Sequence, residues 1–201
     1  CAFAWALRNS KHPEGAHSMG PLFGDGFKNV SLIKSIIACN VARNPQVVKS
    51  GLLDMYNCLV YNYGNVGTEF KGTGLKANMR NNVFKAGPDT TGSAVNITDD
   101  AIGNAEIYWD GNVGPGYTDA AQDSWGLIKD FRGNTVSQNG RRSTPHQGPS
   151  ATILPTKDVL MYLLYNAGAK MPARDALDTR LLVDILYDTG KIIDSPAEVG
   201  G

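Results

Sequence analysis

The chain has 201 residues, enough for one domain with an interior core. Its 19 basic residues balance 19 acidic ones, so no global field draws it to nucleic acid or to an anionic membrane. No apolar run reaches the ~20 residues that cross a bilayer. Three cysteines, Cys1, Cys39 and Cys58, are too few for a disulfide framework and match no zinc spacing.

The chain opens inside an apolar stretch, Cys1 to Leu7, with neither an initiator Met nor a signal sequence. Such a stretch wants neighbours on both sides. The chain therefore reads as a fragment that lacks its N-terminal part, and the missing leader says nothing about location. Next comes "HPEGAHSMG", a Gly-rich loop bracketed by His12 and His17. Pro13 and Gly15 exclude a helix between the two histidines, and their spacing fits no standard metal-binding helix. No metal ligand is assigned here. His17 is expected to fix the loop through a hydrogen bond to backbone, with ligand contact as the alternative.

Three segments then share a pattern: "NVSLIKSIIACN" (29–40), "GLLDMYNCLVYN" (51–62) and "GLKANMRNNVFKAG" (74–87). Each is a short alternating run, a Ser or Asn, a few mainly apolar residues and a polar stop. Matching Ser35 with Asn57 gives an offset of 22, and Asn57 with Asn82 gives 25. "NAEIYWDGN" (104–112) reads as a fourth copy. Offsets of this size, with strands too short to form a domain alone, suggest stacked coils of a parallel β-helix. There an inward Asn can bond to its counterpart in the next coil. A β-sandwich or meander also gives short, evenly spaced strands, but the runs lack hairpin dipeptides.

Between the first two copies lies Arg43-Asn44-Pro45. Pro45 has no N–H, fixes its own φ and restricts Asn44, so the backbone sets the direction of Arg43. An isolated R-N-P tripeptide is most simply a surface turn. If the coils stack, however, Arg43, Lys49 and the His17 loop line one groove suited to an anionic ligand. Cys39 and Cys58 lie in apolar runs and read as small buried hydrophobes.

Residues 111 to 155, rich in Gly, Pro, Asn, Asp and Ser, read as a long surface excursion; His146 falls within it as a loop residue. "ITDD" (97–100) and "YWDGN" (108–112) read as turns before calcium ligands. Trp109 and Trp125 read as buried packing. Beyond Pro155 the periodicity becomes helical. Thr156 is the candidate N-cap and Gly168 the terminator of one helix. A second presents Leu177, Leu181, Leu182, Ile185 and Leu186 on one face, with Gly190 past its end. Both are expected to cap the coil array.

"SKHPEGAHSMGPLFG", "NVSLIKSIIACNVARNPQ", "MYNCLVYNYG" and the tail from Ala167 to Gly201 resemble the pectate lyases of polysaccharide lyase family 1. The similarity runs nearly end to end and corresponds to the C-terminal half or so of a secreted bacterial enzyme. The resemblance implies an all-β, right-handed, pectin lyase-like parallel β-helix with a small C-terminal two-helix segment packed on it. On that reading residues 1–155 are the C-terminal coils with long loops, 156–201 are the helical segment, and the N-terminal coils are missing.

The resemblance further implies β-elimination on polygalacturonate, with Arg43 as the base and Lys49 and His17 as substrate contacts. Calcium is implied as cofactor, its ligands lying mainly upstream of Cys1, so that the fragment alone is inactive. A secreted or periplasmic monomer is implied, with an acidic polysaccharide as partner and neither nucleic acid nor membrane. The residue five beyond Arg43, where relatives commonly carry a basic side chain, is Val48, with Lys49 next. Met19 stands where many members have lysine. A degenerate β-helix that binds acidic polysaccharide without cutting it is the alternative. A hydrolase is weaker, since residues 29–87 offer only Asp54 and Glu69 as a carboxylate pair.

Overall fold

The computed structural model describes residues 1–200. Strands follow in the order β1 (Ala2–Ala4), β2 (Leu22–Phe23), β3 (Asn29–Ile33), β4 (Ile36–Ala38), β5 (Gln46–Val48), β6 (Gly51–Tyr56) and β7 (Leu59–Tyr61). They continue with β8 (Val66–Lys71), β9 (Leu75–Arg80), β10 (Val83–Lys85), β11 (Ser93–Ile97), β12 (Glu106–Asp110), β13 (Ile128–Lys129) and β14 (Arg141–Arg142). In rotation they join three sheets: a first of β1-β4-β7-β10, a second of β2-β5-β8-β11-β13 and a third of β3-β6-β9-β12-β14. Every strand pairing is parallel. Each pass of the chain lays one strand on each sheet, and Val113 bridges Val83 where a fifth strand of the first sheet would fall.

The corners recur as strictly as the strands. Lys34, Asn57 and Asn81 take left-handed φ values of 51°, 53° and 50° directly after the third-sheet strands; Cys39 and Asn62 do so directly after the first-sheet strands, at 56° and 48°. Asparagine adopts this conformation more readily than most residues, which accounts for its repetition there.

These corners correct the expected asparagine register. Asn57 aligns with Lys34 and Asn81, whereas the inward ladder runs through Ser35, Cys58, Asn82 and Asn112. Asn82 Oδ1 accepts from the Cys58 N–H at 2.9 Å, and Asn112 Oδ1 accepts from the Asn82 N–H at 3.0 Å. Their amides donate to the Met55 and Met79 carbonyls at 2.8 and 2.9 Å. Ser35 and Asn82 lie on the ladder as matched, but the second coil puts Cys58 there and its neighbour Asn57 at the corner, so the sequence match slips by one at Asn57.

Strand alternation sends Leu53, Ala77 and Ile107 inward in one row, Met55, Met79 and Trp109 in the next, and Val47, Phe70 and Ile97 from the second sheet. Burying each large member stabilises the fold by about 1.5–3 kcal/mol. Trp109 and Trp125 are buried here and meet edge to face at 6.4 Å. Cys39 and Cys58 are fully buried.

Two outer faces are covered. α1 (Thr156–Asn166) and α2 (Ala176–Tyr187) pack Val159, Leu163, Leu181 and Ile185 over Ile36, Ala38, Leu59 and Tyr61 of the first sheet. Pro155, rather than Thr156, is the N-cap of α1; the Thr156 hydroxyl instead donates to the Gly111 carbonyl at 2.7 Å. Gly168 and Gly190 have the expected positive φ beyond the helices. Leu177 and Leu186 do not join the buried face of α2 but remain exposed.

On the third sheet the cover is the segment before α1. Asn57 and Asn81 both donate to the Leu154 carbonyl, at 2.9 and 2.8 Å, while Asn78 exchanges hydrogen bonds with the His146 backbone at 2.8 and 3.0 Å. Residues 111–155 are therefore not only an excursion: they also supply β13 and β14, the last strands of two sheets. No helix among the described residues is long and apolar enough to cross a membrane.

Candidate active site

Arg43 lies at the corner between β4 and β5 with a left-handed φ of 60°. For a non-glycine residue this conformation needs surrounding structure to hold it. Its N–H donates to Glu69 Oε1 at 3.1 Å. Beside it Asn44 is fully engaged: its N–H meets the Gly67 carbonyl at 3.0 Å, its amide donates to the Val66 carbonyl at 3.0 Å, and its Oδ1 accepts from Asn40 at 3.0 Å. The Thr68 hydroxyl donates to the Asn44 carbonyl at 2.9 Å. Gly20 closes the other side, where a Cβ would come 2.3 Å from the Arg43 carbonyl oxygen. The Asn44–Pro45 peptide is cis.

This corner feeds the second sheet, whose outward row is Gln46, Glu69, Asn96 and Lys129 in register. Glu69 is only 3% exposed, yet it keeps its charge company: Oε2 lies 2.7 Å from Lys71 Nζ. Lys71 stands directly beside Val48. The cation that Val48 does not provide is thus present one strand over. Asn96, a member of this row, has its Oδ1 buried without a hydrogen-bond partner. Among the described residues the Arg43 guanidinium has no carboxylate partner, whereas Lys49 and Lys71, the other cations flanking β5 and β8, are each paired.

His17 does approach Arg43. Its imidazole is held below its ordinary titration range by burial first, then by the nearby positive charges of His12 and Arg43. The expected ring-to-backbone hydrogen bond is not formed; the ring stacks on His12, with centroids 3.7 Å apart. What fixes the loop is the His17 N–H, which donates to the Arg8 carbonyl at 2.8 Å. Lys49 lies past the far end of β5 and is committed to Asp25 at 2.9 Å, a hydrogen bond that raises the Lys49 pKa. Met19 bridges Ala42, immediately before Arg43.

Calcium takes six to eight oxygens. The strands of the second sheet contribute one carboxylate, Glu69, already paired with Lys71 and the Arg43 N–H. The residues on this face do not by themselves fit a calcium ion, and no chemical step below runs through one. Asp54 cannot complete a pair with Glu69: it lies on the third sheet, buried, accepting from Tyr56, Asn78 and Ser31 at 2.7, 2.7 and 3.3 Å. Asp99 pairs with Arg132, and Asp100 accepts from Thr98 as a turn residue does.

Motif reading does not single out Lys71 and Asn96, on the face beside Arg43, and weighs Glu69 only as a carboxylate pair with Asp54. Alternation in "GTEFKG" would have placed Glu69 and Lys71 on one face, but only the coil register puts that face beside Arg43. Compared with known proteins, the chain matches no family model and no curated protein.

Proposed function

We propose that this chain belongs to a secreted polysaccharide lyase that cleaves polygalacturonate, or a closely related acidic polysaccharide, by β-elimination. The three rotating parallel sheets support a right-handed parallel β-helix of the pectin lyase-like kind, since parallel crossovers are overwhelmingly right-handed. One observation carries the chemical reading. An arginine with no carboxylate partner is fixed in a left-handed corner by Glu69 and Asn44, at the edge of a polar sheet face.

In this mechanism neutral Arg43 removes the C5 proton of a uronate. The C5–H electron pair forms the C4–C5 double bond, the C4–O bond breaks, and the departing glycosyl oxygen takes a proton from water. A proton beside a carboxylate is a weak acid, so positive charge near that carboxylate lowers the barrier. Lys129, which has no carboxylate partner, lies along the same face to provide it. Only a neutral guanidine can accept the proton, so the rate should rise into alkaline solution. Polygalacturonate mixed with the longest natural form of the protein should generate absorbance from an unsaturated uronide, while a neutral glucan should not. Clean hydrolysis without the double bond, or no cleavage at all, would remove the proposal.

A non-catalytic polysaccharide binder is the second reading. Lys49 committed to Asp25, and Met19 beside the Arg43 corner, favour it by leaving fewer free cations around the base. Retention on a uronate gel without any unsaturated product would select it.

A further inference from the structure

We infer that the loop before β2 holds a second chemistry, a site for one borderline divalent cation of the zinc, nickel or copper class, built from His12, Glu14 and His17. The inference does not depend on the lyase reading. His12-Pro13-Glu14-Gly15 forms a turn closed by the Gly15 N–H on the His12 carbonyl at 3.0 Å, with Gly15 at φ 87°. This turn folds His12 back over His17, rings nearly parallel at 15°. A potential ligand atom from each of His12, Glu14 and His17 then lies within 4.8 Å of the others. Sequence spacing argued against such a site because it considered helices; a Pro-Glu turn achieves the same convergence.

The loop is anchored rather than free. The His17 and Ser18 N–H groups donate to Arg8 and Leu7 carbonyls at 2.8 and 3.1 Å, and Arg8 is clamped by Asp194 at 2.8 and 3.0 Å. The Glu14 N–H donates to His12 Nδ1 at 3.2 Å, so Nδ1 carries the lone pair and Nε2 the proton; an ion takes Nδ1 by displacing this hydrogen bond, or Nε2 after a change of tautomer. Two imidazoles with one carboxylate suit zinc-class ions, whereas calcium and magnesium prefer oxygen alone. Three protein ligands leave a coordination position open. Lone pairs of parallel rings do not converge, so binding should tilt the two imidazoles towards each other.

The test titrates zinc into the full chain carrying Cys1→Ser, because the exposed N-terminal thiol would bind zinc on its own. One equivalent should bind, with calcium unable to compete. Cobalt should give a visible spectrum of nitrogen and oxygen ligation without thiolate charge transfer. His12→Ala and His17→Ala should each weaken affinity by about tenfold or more, and Glu14→Gln by less. Far-UV circular dichroism should be unchanged in the variants. Absence of zinc binding, or binding undiminished in the folded His12→Ala/His17→Ala double variant, would overturn the site.

Discussion

The Arg43 N–H donates to Oε1 of buried Glu69 at 3.1 Å, and the other oxygen of the same carboxylate meets Lys71. One group therefore fixes the corner of β5 and neutralises the cation beside Val48. Glu69→Ala removes both partners and should destabilise the protein by about 2–3 kcal/mol. Glu69→Gln keeps an acceptor for Arg43 and should cost less. Urea denaturation with both variants measures this; equal stability of wild type and Glu69→Ala would show that the corner is held by other contacts.

The asparagine ladder makes a second prediction. Asn82 accepts from the Cys58 N–H and donates to both Met55 and Asn112, all away from water. Asn82→Ala leaves several buried groups unpaired and should cost about 2–4 kcal/mol. The aligned Ser35, whose hydroxyl bonds only the Ile33 carbonyl at 3.2 Å, should tolerate alanine far better. A thermal melt of each variant separates the two.

How far the sequence disclosed this arrangement depended on what each residue's role required. Strand alternation and the recurring Asn and Ser made the stacking legible, because both are local. Register was only partly legible: Asn82 is matched as the ladder residue, but the second coil carries Cys58 there, a residue type that the Asn and Ser pattern does not mark, so the match falls on its polar neighbour Asn57 instead. Arg43 could be found from its proline neighbour, but Glu69 lies 26 residues away and becomes its partner only through the coil spacing. The His12–His17 stack was hidden for another reason. Ring convergence there comes from a turn geometry that residue spacing alone does not specify.

Buried thiols give a third prediction. Burial pushes both Cys39 and Cys58 up to about 12, so at pH 8 roughly one part in ten thousand is thiolate. Exposed Cys1 should react with Ellman's reagent rapidly in the folded protein, and the other two only on unfolding. Three fast thiols in native buffer would contradict the packed interior.

The C-terminal turn should be acid-sensitive in a defined window. Glu198 is lowered to about 2, first by its hydrogen bond to Lys191, then by the Ser195 and Asp194 N–H groups. Its folded pKa is below the unfolded value near ~4.3, so its stabilising effect is complete above that value and vanishes as pH falls through about 2. The Asp194 and Ser195 amide resonances should therefore titrate with a midpoint near about 2. A midpoint near ~4.3 would mean that Glu198 is not held in the turn.

The most direct test of the account concerns the guanidinium itself. Wild type and Arg43→Ala, in the longest natural form of the protein and matched by circular dichroism, should be compared on polygalacturonate at alkaline pH. The account predicts steady formation of the unsaturated uronide by wild type and a rate at least about a hundredfold lower in the variant. An Arg43→Ala protein that forms the same product at the wild-type rate would contradict it.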